Sequence, residues 1–185
     1  MGKAINKMKK TTHHNATKKY NQGLIIIHWI TTILILILFT LGKYMEELNF
    51  SEKNELIKIH AILGILVFNL TIIRVYFYFK HPRPSAIKKG SKLNRQVIGW
   101  IHNAFYFLLL GASITGIASL FLGSYIKAMK LAYFHESVLL SNYSKTPLKI
   151  HGVVAGIMMV LLVVHVVGVL KHYLFTKENT LKRIT

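Results

Sequence analysis

Four long apolar segments, separated by polar ones, account for most of the chain. They cover about residues 23–42, 57–79, 98–122 and 149–175. Each is close to the ~20 apolar residues that an α-helix needs to cross the hydrocarbon core of a bilayer. Ala104 to Leu122 and Gly152 to Leu170 contain no Asp, Glu, Lys or Arg. The pattern predicts an all-α integral membrane protein, a four-helix bundle with up-down topology.

The fourth apolar segment carries two histidines, His151 and His165, fourteen residues apart. Fourteen residues of α-helix advance about 21 Å and make almost four whole turns, so both imidazoles face the same side at different depths. An imidazole inside a membrane is costly without a partner, and ionisable residues within spans usually have a function. The spacing therefore predicts two separate sites stacked along the membrane normal.

The distribution of charge predicts the orientation. The chain has 24 Lys and Arg residues against 6 acidic ones, a formal net charge of +18. Most basic residues outside the spans lie in the N-terminal tail, between the second and third spans, and after the fourth. Because cytoplasmic loops carry the excess of Lys and Arg, we predict that both termini are cytoplasmic. Residues 1–19 are predicted to be a basic tail that can contact anionic lipid headgroups rather than nucleic acid.

The chain lacks residue types that several kinds of functional site need. The chain has no cysteine, which excludes disulfides, thiolate-bound clusters and thiol nucleophiles. All six acidic residues lie outside the predicted spans: Glu46, Glu47, Glu52, Glu55, Glu136 and Glu178. Ion pathways for zinc and similar metals usually add carboxylates or thiolates to imidazole. A metal-ion transporter is therefore only a remote alternative.

The predicted topology sorts four histidines into two pairs by depth. His28 and His165 lie toward the cytoplasmic side, whereas His60 and His151 begin the second and fourth spans at the other side. Two helices can each offer an imidazole to a flat macrocycle between them, and a haem iron with two nitrogen ligands fits this arrangement. A hydrogen bond to a neighbouring helix is the alternative for any single histidine, but it does not explain the matched depths.

Other ionisable residues have simpler expected roles. His102 and His172 lie near the cytoplasmic side and could compete for the His28–His165 site, but we expect both to be interfacial or to support the ligands. Arg74 is expected to pair with a haem propionate, with snorkelling to the interface as the alternative. The remaining histidines, His13, His14, His81 and His135, are expected to be solvated. Lysines at the outer side could bind propionates or attract a small anionic electron donor: Lys53, Lys58, Lys145 and Lys149.

Several short motifs together indicate a family. Ile27-His28-Trp29 opens the first span, Gly64 and Arg74 follow His60, and the chain continues with Pro82, Pro84, His172-Tyr173 and Asn179-Thr180-Leu181. With the spacing of His151 and His165, residues 20–185 resemble the bacterial cytochrome b561 family of dihaem four-helix membrane proteins. The family often has a proline where this chain has Ser113.

The resemblance implies that His28, His60, His151 and His165 are the axial ligands of two haem b groups. Such irons have no open position, which leaves one-electron transfer as their chemistry. The resemblance also implies exchange with a quinone in the bacterial inner membrane and, in some members, oxidation of superoxide at the outer face. We therefore expect an oxidoreductase that passes electrons between an outer-face donor and ubiquinone. The alternative is a non-enzymatic relay or anchor subunit that serves a soluble dehydrogenase or hydrogenase as its redox partner.

Overall fold

A computed structural model of the chain describes residues 21–80, 92–122 and 142–176. These residues form four α-helices, α1 (Gln22–Glu47), α2 (Phe50–Lys80), α3 (Lys92–Leu122) and α4 (Asn142–Thr176), and no strand. The prediction of an all-α membrane bundle is confirmed. The predicted basic tail, the two prolines after α2, and the loop and tail histidines lie outside the described residues.

Each helix contains its predicted span and extends beyond it. α2 and α4 both begin seven residues before the limit that hydrophobicity indicated. Backbone hydrogen bonding continues past the apolar run, and polar residues satisfy the free ends. Asn21 Oδ1 accepts from the Gly23 N–H at 2.8 Å, and Glu52 accepts from the Asn49 N–H at 3.2 Å. Each helix still holds a stretch long and apolar enough to cross a membrane.

Successive helices run in opposite directions. Two residues, Leu48 and Asn49, separate α1 from α2, so α2 must turn back along α1. Side-chain contacts pair the end of each helix with the start of the next: Gly42 with His60, Tyr78 with Asn103, and Gly116 with His151. This is the predicted up-down topology.

The apolar core is a single layer near the middle of the bundle. Every helix gives it one buried residue, and these are Ile35, Val67, Leu109 and Met158. Lipid is as apolar as these side chains, so they stabilise the bundle by close packing rather than by leaving water.

Buried hydroxyls accompany the core without needing partners on other helices. Thr31 and Thr71 are fully buried, and their hydroxyls donate to the carbonyls of Ile27 at 2.6 Å and Val67 at 2.8 Å. In a medium without water such i−4 bonds satisfy the polar group within its own helix. These hydroxyls are therefore buried without an unpaired donor.

Packing among the helices is uneven. α4 packs mainly on α3, and α1 mainly on α2, while α2 also contacts α3. Over the described residues, the backbone of α4 makes few close approaches to α1 or α2. Side chains and a flat group could therefore occupy the space between α4 and the α1–α2 hairpin.

We predict that Leu109→Ala lowers the free energy of unfolding by about 2–5 kcal/mol, since it opens a cavity in the central layer. Ile114→Ala is the matched control, because Ile114 lies on the same helix with 59% of its surface exposed to lipid. Denaturant unfolding in detergent, followed by far-ultraviolet circular dichroism, measures both. Equal losses in the two variants would contradict the central layer.

Candidate functional site

The functional residues repeat at a fixed distance from the core. Seven positions before and after each core residue lies a histidine, an arginine or a glycine. Around Ile35 these are His28 and Gly42, around Val67 His60 and Arg74, around Leu109 His102 and Gly116, and around Met158 His151 and His165. Seven residues are almost two helical turns, or about 10.5 Å, so each of them lies on nearly the same helix face as its core residue.

Because neighbouring helices are antiparallel, the repeat builds two layers on either side of the core. The His28 layer contains His28, Arg74, His102 and His165. The His60 layer contains Gly42, His60, Gly116 and His151. The two layers lie about 21 Å apart along the bundle axis, as the His151–His165 spacing predicts.

In the His60 layer two imidazoles face each other across the gap between α2 and α4. The ring centres of His60 and His151 are 6.0 Å apart, with an angle of 75° between the planes. His151 Nδ1 is 2.8 Å from the carbonyl oxygen of Ala112, to which it can donate its proton. That bond leaves Nε2 as the nitrogen with a lone pair, which is how a second interaction orients a metal-binding histidine.

Glycines on α1 and α3 make room for these rings. A Cβ atom on Gly116 would lie 3.2 Å from Cε1 and Nδ1 of His151, closer than is comfortable for van der Waals contact. A Cβ on Gly42 would lie 3.5 Å from Cε1 of His60. The close approach of His151 to the α3 backbone, and with it the bond to Ala112, therefore depends on glycine at position 116.

The surroundings of His60 also suit a bound group. His60 Nδ1 is buried and has no hydrogen-bond partner among the described residues, a cost of about 1–3 kcal/mol if nothing else offsets it. One turn later, a Cβ on Gly64 would meet nothing within 4 Å. There is therefore open space next to the helix one turn from His60.

The His28 layer is more polar. Arg74 Nη2 lies 3.3 Å from His28 Nδ1, and the Arg74 guanidinium lies 5.6 Å from the centre of the Tyr106 ring. The His165 ring contacts His102, with ring centres 5.4 Å apart at 89°. The layer thus gathers three imidazoles and one guanidinium.

The contact between Arg74 and His28 has a chemical consequence. A guanidinium only donates, so His28 Nδ1 is the acceptor here and the ring proton is on Nε2. Binding of a metal through Nε2 requires the other tautomer, with the proton on Nδ1. Arg74 must therefore release His28 before Nε2 can serve as a ligand, and it is then available to an anionic group.

The structure brings most of the predicted site residues together and adds others. The rings of His60 and His151 are in contact. Arg74 contacts His28, and His165 lies in the same layer. The sequence interpretation took Gly116 only as a residue that allows close helix approach and left the role of His102 open; it did not identify the roles of Gly42 and the Ala112 carbonyl. The seven-residue spacing from the apolar core could have revealed the two glycines and His102, but not the Ala112 carbonyl.

The lysines predicted to act at the outer side form a less well defined group than the histidine layers. Lys58 is hydrogen-bonded to Glu55 at 2.5 Å, and Lys149 is exposed. The side chains of Lys145 and His172 lie outside the described residues. In residues 21–80, 92–122 and 142–176, no three His, Asp or Glu side chains are grouped to bind a free metal ion.

Comparison with known proteins gives the family. The family described as prokaryotic cytochrome b561 matches residues 19–185. The chain belongs to this family. It is 27% identical over 176 residues to cytochrome b561 homolog 2 of Escherichia coli (strain K12), an alignment covering 92% of this chain and 93% of that protein. It is 26% identical over 168 residues to the probable superoxide oxidase CybB of Yersinia pestis, covering 90% and 96%.

Family membership and the four long apolar helices make the chain a multi-pass membrane protein and a b-type cytochrome. It is an oxidoreductase of electron transport that binds haem b. The facing imidazoles of the His60 layer fit such a group. Their ring centres lie 6.0 Å apart, so these two side chains could supply the two nitrogen ligands of one haem iron.

Proposed function

We propose that residues 20–185 form a dihaem cytochrome that carries electrons across the inner membrane from an outer-face donor to ubiquinone. His60 and His151 would hold one haem b, and His28 and His165 the other. The observation that carries the proposal is the His60–His151 pair, facing at 6.0 Å, with His151 oriented by Ala112. The same heptad spacing supports an equivalent site in the His28 layer.

The residues around each pair determine the chemistry. A haem held by two of these imidazoles would supply one-electron transfer and would leave no ligand position for a substrate. Ala112 holds the His151 ring in the tautomer that ligation needs. The apolar layer of Ile35, Val67, Leu109 and Met158 excludes water between the two sites, so charge passes through a dry, packed region.

Charged side chains fit the two ends to different partners. In the proposed orientation, with both termini cytoplasmic, Arg74 lies at the inner end and would pair with a propionate once it releases His28. At the outer end, Lys53 and Lys149 could attract an anionic donor. The similarity to a probable superoxide oxidase supports superoxide as this donor.

Single alanine substitutions test the ligand pairs. We predict that His151→Ala and His28→Ala each lose one of two haems, because each removes one axial ligand from a different site. Reduced-minus-oxidised spectra with a haem-to-protein ratio measure the loss. His102→Ala should keep both haems. Retention of two haems in His28→Ala, with loss of one in His102→Ala, would assign the inner ligand to His102 instead.

Gly116→Ala tests how His151 is positioned. We predict that the added Cβ displaces the ring and shifts one of the two midpoint potentials, on the order of 30 mV, or half a decade in a one-electron couple. Gly111→Ala is the matched control on the same helix, because its Cβ would meet only a Val154 methyl at 3.9 Å. Potentiometric titration should show the second haem unchanged in both variants. A shift of both potentials in Gly116→Ala would argue for a general disturbance of the bundle.

The purified chain should carry out the proposed activity without any other protein. We expect it to transfer electrons from superoxide to ubiquinone in detergent or nanodiscs with no added protein, measured as formation of ubiquinol. Strict dependence on a co-purifying soluble subunit would instead establish the relay function. A colourless preparation would refute both.

A further inference from the structure

One face of the bundle combines an exposed amide with exposed aromatic rings. Asn103 is exposed within the membrane-spanning part of α3, Gln96–Leu122. Trp100 and Phe107, three residues before it and four after, lie on the same helix face with 69% and 78% of their surfaces exposed. A polar side chain that faces lipid is costly and is a candidate for function by default.

We propose that this face, defined by Trp100, Asn103, Phe107 and the adjacent Tyr78, docks the headgroup of a lipid-soluble quinone. The proposal rests on the proposed function and names the place where quinone meets the cytochrome. Asn103 lies one residue after His102 and therefore at the depth of the His28 layer.

The hydrogen-bond donors of the Asn103 amide match the carbonyl acceptors of a quinone. The Tyr78 hydroxyl donates to Asn103 Oδ1 at 3.0 Å, so the carbonyl end of the amide is already satisfied. Asn103 Nδ2 has no acceptor among the described residues, and it carries two N–H donors. A quinone presents two carbonyl oxygens, which only accept. The flat ring can also pack on Trp100 or Phe107, while its isoprenoid tail follows Phe107 toward the bilayer centre.

Contacting side chains connect this face to the haem-binding layer. The Tyr78 ring lies 5.5 Å from the Tyr106 ring, and the Arg74 guanidinium lies 5.6 Å from Tyr106. Arg74 belongs to the His28 layer, where it would pair with a propionate of the bound haem once it has released His28. A headgroup at Asn103 is therefore separated from the His28 site by a short, continuous chain of side chains rather than by lipid.

Reduction of the headgroup to quinol takes two electrons and two protons. The cytochrome delivers the electrons one at a time through the His28 site. The protons come from water at the membrane surface, whose level Trp100 marks as an interfacial tryptophan. Both carbonyl oxygens become hydroxyls, and no other reactant is needed.

Asn103→Leu in the haem-loaded protein tests the proposal. The cytochrome is reduced chemically without oxygen and mixed with ubiquinone-1, and the rate of haem reoxidation is followed against quinone concentration. We expect the half-saturating concentration to rise about five- to tenfold, as for the loss of one hydrogen bond. Asn69→Leu is the matched control, because Asn69 is also exposed but its amide donates to its own helix at Ile65, 2.9 Å away. It should behave like wild type.

A photoactivatable azido-quinone provides a readout that needs no variant. We expect it to label the α3 peptide around Asn103 and to be displaced by excess ubiquinone-1. Normal quinone kinetics in Asn103→Leu, or labelling confined to another helix, would overturn this site and leave the proposed function intact. Failure of the reduced wild-type protein to react with quinone at all would overturn both.

Discussion

The packing of two imidazoles against glycine backbone is the constraint on which the rest of the bundle depends. His151 can reach the Ala112 carbonyl only because Gly116 has no side chain, and His60 faces it from α2 with Gly42 alongside. A larger residue at position 116 would push the His151 imidazole away from the α3 backbone. The helices must therefore approach closely at the glycines and stay apart between α4 and the α1–α2 hairpin, which is how they are packed.

The heptad spacing explains how so short a chain builds two sites. An α-helix returns to nearly the same face after seven residues, so one core residue per helix fixes the direction of the positions seven residues away. Antiparallel neighbours bring these positions together at two levels. Only α4 gives a histidine to both layers. On α1 and α3 the His60 layer has glycines where the His28 layer has His28 and His102, and on α2 it has His60 where the other layer has Arg74. One site is therefore lined by backbone and the other by polar side chains.

Much of this could be predicted from the sequence, and the rest depends on packing. Hydrophobicity gave the four helices and their topology, and the depths of His28, His60, His151 and His165 indicated two paired sites. The helix ends were missed because backbone bonding continues where hydrophobicity stops. The contact of His102 with His165 and the role of Gly116 depend on how α3 is rotated against α4. That rotation follows from the close approach of the two helices, which a pattern of apolar residues does not specify.

The unequal layers also bear on the direction of electron flow. A fixed positive charge near a redox group favours its reduced form, and the effect is larger where water does not screen it. In the His28 layer Arg74 is half-buried and would offset the negative charge of a propionate beside the haem, whereas at the other end Lys58 is paired with Glu55 and Lys149 is exposed. Exposed or paired lysines act weakly because water screens them. We therefore expect the higher potential at the His28 site, which draws electrons from the His60 end toward the face where Asn103 is exposed.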